Sequence, residues 1–214
     1  MAATDALVFV SGRVDSLTEG WLEEMVGWVT CHPGVGFSSG LILDAAGNVV
    51  EAGLVLDREG HGSPLFRGIP PHQWGWFGGP LWYRNTSAVS PWLAAISAES
   101  YLSAGGFDEH LPWQRSFPAL CRAIGSSGKR GLVDPHARAT LTAGELPAVP
   151  AFDESLKHDL YFHPAFSSVV PLELGKNSQA SATSGAPHAG EQVLIVNPLF
   201  PLHGWALQDV LRPV

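Results

Sequence analysis

The chain carries little charge, and most of that charge is negative. Asp, Glu, Lys and Arg make up 15% of its 214 residues and the formal net charge is -8, whereas a typical soluble protein is about 25% charged. The 12 Lys and Arg are scattered along the sequence. Because an acidic surface without a basic stripe repels phosphate groups, we expect no binding to nucleic acid or to an anionic membrane surface.

Cysteine and long apolar runs are also scarce. Cys31 and Cys121 lie far apart, which argues against a disulfide framework and gives no zinc-ligand spacing. We expect both to be buried free thiols. No apolar run reaches the ~18 residues of a membrane span, and the N-terminus lacks the basic start and apolar run of a signal peptide. We therefore expect a soluble, cytoplasmic protein.

Motifs of several enzyme classes are absent. The sequence contains no Walker-type Gly-Lys-Ser/Thr and no His-Glu-x-x-His pattern. The nine His are dispersed, and His61 and His72 share a loop without a third ligand in obvious reach. The sequence accordingly predicts no metal site and no cofactor.

Apolar residues are abundant enough for a core. The chain is 45% hydrophobic, with eight Trp, too apolar for a disordered segment. Its periodicities predict an α/β domain. The predicted strands cover residues 6–10, 35–43, 49–56, 85–96, 129–133 and 138–141. The predicted helices cover residues 19–29 with Thr18 as N-cap, 98–104 closed by Gly105, and 117–124 with Pro118 in the first turn.

The C-terminal part of the chain changes character. Residues 1–175 are predicted to form one domain. Residues 176–192 are rich in Ser, Ala and Gly and predict a linker, and residues 193–214 form an apolar, proline-containing tail that we expect to dock on a surface.

A long aromatic loop over residues 57–83 is the first candidate for ligand contact. Sugar rings have apolar faces that stack on aromatic side chains, and their hydroxyls need polar partners. The candidate sugar contacts are Trp74, Trp76, Trp82, Arg84, Asn85 and Trp113. The same Trp side chains would also suit the core of the fold or a contact with another subunit.

Six short motifs, in order, resemble those of family-2 glycosyltransferases with a GT-A fold, in the bacterial rhamnosyltransferase-like branch. They occupy residues 20–24, 32–36, 47–53, 66–68, 84–89 and 105–109, the last reading Gly-Gly-Phe-Asp-Glu. The resemblance covers about residues 6–175. It implies a partial GT-A-like mixed sheet flanked by helices, corresponding to the C-terminal, acceptor-side portion of the family. The N-terminal nucleotide-binding half of the family has no counterpart here.

The metal-binding aspartates of that family are not retained. At the matching positions after the first strand stand Ser11, Gly12 and Arg13, and Asp15 is the only nearby acid. One carboxylate is a poor site for Mg or Mn. Arg13 could instead pair directly with a diphosphate; the alternative is that it bonds to a local carboxylate or to solvent.

The family's general base is also missing. Ser116 and Pro118 stand where the family carries an acidic pair. Asp108 and Glu109 are the acids close enough in sequence to substitute as base, and the alternative is that they cap a turn or a helix.

Together these departures predict a catalytically degenerate relative that binds carbohydrate or protein, or that serves in assembly. The alternative is an active, inverting, nucleotide-sugar-dependent glycosyltransferase of polysaccharide synthesis, with Mg or Mn and with the donor half supplied by a partner chain. In the parent fold the two halves share one sheet. We therefore expect an exposed or paired strand edge here, and a homo- or hetero-oligomer.

Overall fold

The computed structural model describes residues 5–57, 59–73, 79–144, 146 and 159–161, without the side chains of Trp113 and Gln114. The strands are β1 (Ala6–Val10), β2 (Val14–Leu17), β3 (Val35–Leu43), β4 (Val49–Glu51), β5 (Leu54–Leu56), β6 (Gly62–Pro64), β7 (Arg84–Thr86), β8 (Leu93–Ser97) and β9 (Arg130–Leu141). The helices are α1 (Trp21–Cys31), α2 (Ala98–Ser103) and α3 (Trp113–Ser126). The predicted linker and apolar tail lie outside the described residues, and the domain boundaries stay a prediction.

Seven of these strands form one mixed sheet. The strand order is β1-β8-β3-β9-β2, with β4 added to β3 and β7 added to β9. The pairing of β3 with β9 is parallel, and the other pairs in the sheet are antiparallel. β5 and β6 form a separate two-stranded sheet. The prediction of an α/β fold with a mixed sheet flanked by helices is confirmed.

Helices cover the sheet on both faces. Along β8 the side chains alternate: Leu93 and Ala95 pack with Met25 of α1, while Ala94 and Ile96 pack in the cluster formed with α3. This period of two is what a strand buried on both faces requires. The apolar stripe of α1 is therefore core packing, as its spacing predicted. The helix α3 supplies Phe117, Leu120, Cys121 and Ile124 to the opposite face.

The start of α1 differs from the prediction. Its N-cap is Gly20, with φ 74°, and no side chain caps it. Thr18 is used elsewhere: its hydroxyl donates to the carbonyl of His136 at 2.9 Å and accepts from the backbone N–H of Arg138 at 2.9 Å. Thr18 thus forms hydrogen bonds with backbone groups in an irregular stretch of β9 and does not cap the helix. Cys31, at the end of α1, is exposed, so the expectation that it is buried is wrong, whereas Cys121 is buried.

Two predicted strands are interrupted in the structure. Residues 49–56 divide into β4 and β5 because Gly53 adopts φ +90°, and a Cβ there would lie 2.6 Å from the Thr86 hydroxyl. Residues 85–96 divide into β7 and β8, since the intervening segment contains Pro91, which cannot donate to a central ladder. In the opposite direction, the two predicted segments 129–133 and 138–141 form one strand, β9.

The helix α3 begins earlier than predicted, so that Pro118 lies inside it rather than in its first turn. The additional turn continues the buried stripe, because Ser116 and Phe117 are buried together with Leu120 and Ile124. Burial at helical spacing stabilises a helix that a proline weakens.

The strand β1 pairs, among the described strands, only with β8. Val8 and Val10 of β1 are 37% and 47% exposed. Among the described residues the other side of β1 is an open strand edge, and the expected oligomer stays a prediction. In the described part of the chain, no helix combines the length and the apolarity that a bilayer span demands.

The carboxyl group of Glu51 lies in the core. Glu51 of β4 is 2% exposed, and its Oε1 accepts from the backbone N–H of Ser90 at 2.8 Å. Burial raises its pKa to about 7, although the Ser90 hydrogen bond and the charge of Arg67 act in the opposite direction. The folded chain therefore binds a proton at Glu51 at pH values where the unfolded chain has released it.

This burial predicts a pH-dependent stability. Between the unfolded pKa near 4.5 and the folded pKa near 7, the native state holds more protons, so the free energy of unfolding falls as pH rises. At 1.36 kcal/mol per pKa unit, the fall between about pH 5 and about pH 8 is roughly 2–3 kcal/mol. Glu51→Gln keeps an acceptor for Ser90 and removes the titration.

Urea denaturation at both pH values measures the effect. We expect Glu51→Gln to be less pH-dependent than wild type by that amount. Equal pH dependence in the two proteins would contradict the assignment to Glu51.

Candidate functional site: an aromatic cavity beside β1

Arg13 lies in the turn between β1 and β2, where it contacts the protein itself. Its guanidinium carbon lies 5.7 Å from the centre of the Trp92 ring, and its Nη2 is 3.5 Å from the Thr142 carbonyl oxygen. A Cβ on Gly144 would approach the same Nη2 to 3.0 Å. Arg13 therefore ties the end of β1 to the end of β9. Asp15, on β2, is exposed.

Asp108 and Glu109 follow the Gly-Gly turn after α2. Gly105 and Gly106 have φ values of 83° and 76°, which L side chains rarely adopt. Asp108 Oδ1 accepts from the backbone N–H of His110 at 2.9 Å, and Ser116 Oγ donates to the Asp108 carbonyl at 3.3 Å. Asp108 thus caps a turn, which is one of the two roles expected for it. A carboxylate has about four lone-pair sites, so it retains capacity for a further donor.

Both acids line a cavity of about 370 Å³ between β1, the segment after α2 and the start of α3. Three phenylalanines form its aromatic wall. The Phe9 ring lies 5.6 Å from Phe107 and 5.3 Å from Phe117, in edge-to-face contacts. Pro91, Leu111 and Ser116 complete the lining. We call this space the aromatic cavity.

The aromatic cavity connects to Arg13 through the segment before β8. Pro91 lines the cavity, and the next residue, Trp92, lies under the Arg13 guanidinium. The preceding residue, Ser90, donates to Glu51. Trp92 packs in the cluster formed with α1, whereas the phenylalanines of the cavity pack in the cluster on the other face of the sheet. The candidate diphosphate residue and the candidate base residues are therefore linked along the chain and do not share one cavity. Glu51, whose buried acid supports this segment, was missed by sequence reasoning because nothing in its local pattern marks it.

The predicted sugar contacts on β7 lie elsewhere. Phe9, Ala94, Ser39, Val133 and Arg84 are successive partners across the sheet. Phe9 and Arg84 are thus four strand spacings apart, about 19 Å. The structure does not bring the β7 residues into the aromatic cavity.

Arg84 supports the fold locally. Its guanidinium lies 4.3 Å from the centre of the Phe66 ring, and its Nη2 donates to the Gly79 carbonyl. Burial lowers its pKa to about 10. Phe66 itself has φ 62°, an unusual conformation for an aromatic residue.

The remaining predicted contacts are described only in part. Asn85 is exposed and Trp82 is partly buried. Trp74, Trp76 and the side chain of Trp113 lie outside the described residues, so their roles as sugar contacts stay predictions.

A group of possible metal ligands occurs in the loop after β5. Ligand atoms of Asp57, Glu59 and His61 lie within 4.8 Å of one another. Sequence reasoning considered His61 and His72 and missed the Asp-x-Glu-x-His spacing. Asp57 Oδ2 and His61 Nδ1 are already 2.9 Å apart, and the Arg122 guanidinium lies beside Gly60. The positive charge of Arg122 disfavours the binding of a divalent cation at these three residues.

Comparisons with known proteins add little. No family model matches the chain. No curated protein matches it. A similar solved structure is the crystal structure of GalNAc-T7 with UDP, GalNAc and Mn2+, at 15% identity and a TM-score of 0.45. The match covers 65% of this chain and 28% of that one. Similarity at this level assigns no function, and the rhamnosyltransferase-like resemblance stays a prediction.

The contacts of Arg13 predict a structural contribution in the absence of any ligand. A cation–π contact is worth about 0.5–1 kcal/mol, so Arg13→Ala should lower the free energy of unfolding by about 1 kcal/mol. The exposed neighbouring charge provides the control: Asp15→Asn should change stability by less than about 0.5 kcal/mol. Chemical denaturation measures both. An unchanged stability in Arg13→Ala would contradict this structural contribution.

Proposed function

We propose that this chain is a carbohydrate-binding relative of sugar-transferring enzymes, and that it does not catalyse transfer by the metal-dependent route of the family it resembles. The aromatic cavity is the observation that carries this proposal. It combines partly exposed Phe9 and Phe107 rings with the carboxylates of Asp108 and Glu109. Its volume of about 370 Å³ is within the ~300–1,000 Å³ range of small-molecule sites.

The chemistry of a sugar fits these two kinds of surface. The apolar C–H face of a pyranose can lie against an aromatic ring, and its hydroxyls can donate to carboxylate oxygens. Charge-assisted hydrogen bonds of this kind are about twice as strong as neutral ones. We expect weak, millimolar binding of single sugars, because the cavity is open and Asp108 and Glu109 are exposed.

The absence of catalysis is supported by the residues after β1. Ser11, Gly12 and Arg13 supply no carboxylate for a divalent cation, and Arg13 has contacts with Trp92 and Thr142. Ser116, at the position of the family's base, donates to a backbone carbonyl and cannot accept a proton at neutral pH. A leaving diphosphate therefore lacks the metal that neutralises its charge in the family.

Saturation-transfer difference NMR with a panel of methyl glycosides tests the binding. We expect saturation transfer from the aromatic protons of the protein to at least one glycoside. The double variant Asp108→Asn/Glu109→Gln should weaken binding about tenfold, because it converts charged acceptors into neutral ones. Glu19→Gln, an exposed acid outside the cavity, is the matched control and should bind like wild type.

A parallel assay separates binding from catalysis. The chain is incubated with nucleotide-diphosphate sugars, Mn²⁺ and the bound glycoside, and release of the nucleoside diphosphate is measured. We expect no release above background. Metal-dependent release would favour the active-transferase alternative, and binding that the double variant leaves unchanged would remove the aromatic cavity as the sugar site.

A second candidate role, in assembly, is favoured by the exposed edge of β1. The unpaired side of an edge strand can add a strand from another chain, and Val8 and Val10 are the exposed apolar residues of β1. We infer that a second copy of this chain pairs there.

Sedimentation velocity tests this role. We expect a dimer that Val10→Lys converts to monomer, because a lysine on the edge places charge in the interface. Leu102→Lys is the matched control, since Leu102 is 75% exposed on α2 and is not part of the β1 edge. A monomeric wild type would contradict the inference.

A further inference from the structure

A second cavity, of about 380 Å³, lies at the opposite end of α3. It is bordered by Arg130 and Gly131 at the start of β9, by the last turn of α3, and by Asp159 to Tyr161. Phe37 and Leu56 form part of its floor. We call this space the basic cavity, because three cationic side chains line it.

Three of the chain's 12 cationic side chains line this one cavity: Arg122, Lys129 and Arg130. Such a concentration is unusual in a chain of net charge -8. Arg122 is held close to the backbone of Gly60, where φ is +84° and a Cβ would lie 2.1 Å from Nη2. Lys129 Nζ lies 3.0 Å from the Glu99 carboxylate. Arg130 is exposed and close enough to Tyr161 to influence the pKa of its hydroxyl.

The two carboxylates that line the basic cavity are turned toward the protein. Asp159 is 9% exposed and accepts from the backbone N–H of Leu56 at 2.6 Å, from that of Tyr161 at 2.8 Å and from Ser87 Oγ at 2.8 Å. Asp57 accepts from the backbone N–H of His61 at 2.7 Å and contacts its ring nitrogen at 2.9 Å.

These carboxylate contacts fix the loop walls. Arg130, which is exposed and lines the cavity, is then the side chain whose N–H groups have the right chemistry to meet a ligand there.

We propose that the basic cavity binds a small organic oxyanion, a ring compound that carries a phosphate or a carboxylate group. The forked donors of Arg130 match the oxygens of such a group, Arg122 and Lys129 add positive charge at the same cavity, and the apolar floor at Phe37 and Leu56 accommodates the ring. The distant acidic surface does not oppose this strongly, because charges more than about 8 Å away are screened at physiological ionic strength.

Amide NMR shifts of the full ¹⁵N-labelled chain test the proposal with four probes: phenyl phosphate, benzoate, inorganic phosphate and benzyl alcohol. We expect at least one aromatic oxyanion to shift the amides of Gly131 and Ser126. It should bind at least about tenfold more tightly than benzyl alcohol, because the alcohol cannot form charge-assisted hydrogen bonds. Inorganic phosphate, which lacks the ring, should bind more weakly than phenyl phosphate. Phenyl phosphate and benzoate together identify which oxyanion is preferred.

Variants locate the site. Arg130→Ala should weaken the preferred probe at least about tenfold, and Arg130→Lys should recover part of the loss. Arg115→Ala removes one positive charge outside the cavity, where Arg115 donates to the Glu59 carbonyl, and should leave affinity unchanged. Equal losses in Arg130→Ala and Arg115→Ala, shifts confined to other residues, or benzyl alcohol binding as well as the oxyanions would each overturn the proposal.

Discussion

Two glycines determine how closely β9 can approach the middle of the sheet. A Cβ on Gly40 would lie 2.3 Å from the carbonyl oxygen of Ala137, and a Cβ on Gly131 would lie 2.0 Å from the Phe37 ring. Neither distance is compatible with a side chain. Because both positions are glycine, β9 runs parallel to β3 along nearly its whole length, with irregularities between the Val35 and Phe37 pairs and between the Gly40 and Leu41 pairs. The pairing of β3 with β9 is the constraint on which the positions of β7, β2 and both cavities depend.

The irregularity between the Gly40 and Leu41 pairs is a bend in β9, and it determines how the chain is held at the other end of the sheet. Asp134 Oδ1 accepts from the N–H of His136 at 2.8 Å and its Oδ2 accepts from Trp28 Nε1 at 2.8 Å, so a buried acid stabilises the bend. After the bend, β9 pairs with β2, and the N–H of Thr142 donates to the Arg13 carbonyl. The turn after β1 is therefore held in place by β9. This is why Arg13 is structurally engaged, and why a cation at this turn serves the fold.

The sequence predicts most of the helices and strands of the core, but it predicts fewer of the residues at which they begin and end. The run from Val35 to Leu43 is apolar enough to be recognised as a buried strand, and the glycine pair at 105–106 marks the end of α2. The errors occur where tertiary contacts override a local signal. Thr18 looks like a helix cap, but it bonds to the bend of β9. Pro118 looks like a helix start, yet the burial of Phe117 and Ser116 extends the helix before it.

The candidate site was only partly accessible from sequence for the same reason. Asp108 and Glu109 can be found from the Gly-Gly-Phe-Asp-Glu motif, but the aromatic wall opposite them cannot. Phe9 comes from a strand about 100 residues earlier in the chain, and its side chain would be assigned to the core by its pattern alone. The basic cavity is still more difficult to predict from sequence. Nothing in the local pattern marks Arg122 and Arg130, and they line one cavity only because the fold places the end of α3 beside the start of β9.

The two cavities are independent although they share α3. The first turns of α3 contribute Ser116 and Phe117 to the aromatic cavity, and the last turn contributes Gly125 and Ser126 to the basic cavity. At 1.5 Å per residue, Ser116 and Ser126 are about 15 Å apart. Between them the sheet-facing side of the helix is filled by buried Leu120, Cys121 and Ile124. Loss of a carboxylate beside Phe9 should thus leave the arginines at the far end of α3 unaffected. A ligand found in one cavity is therefore not evidence for a ligand in the other. Each proposed site has to be tested through variants of its own residues.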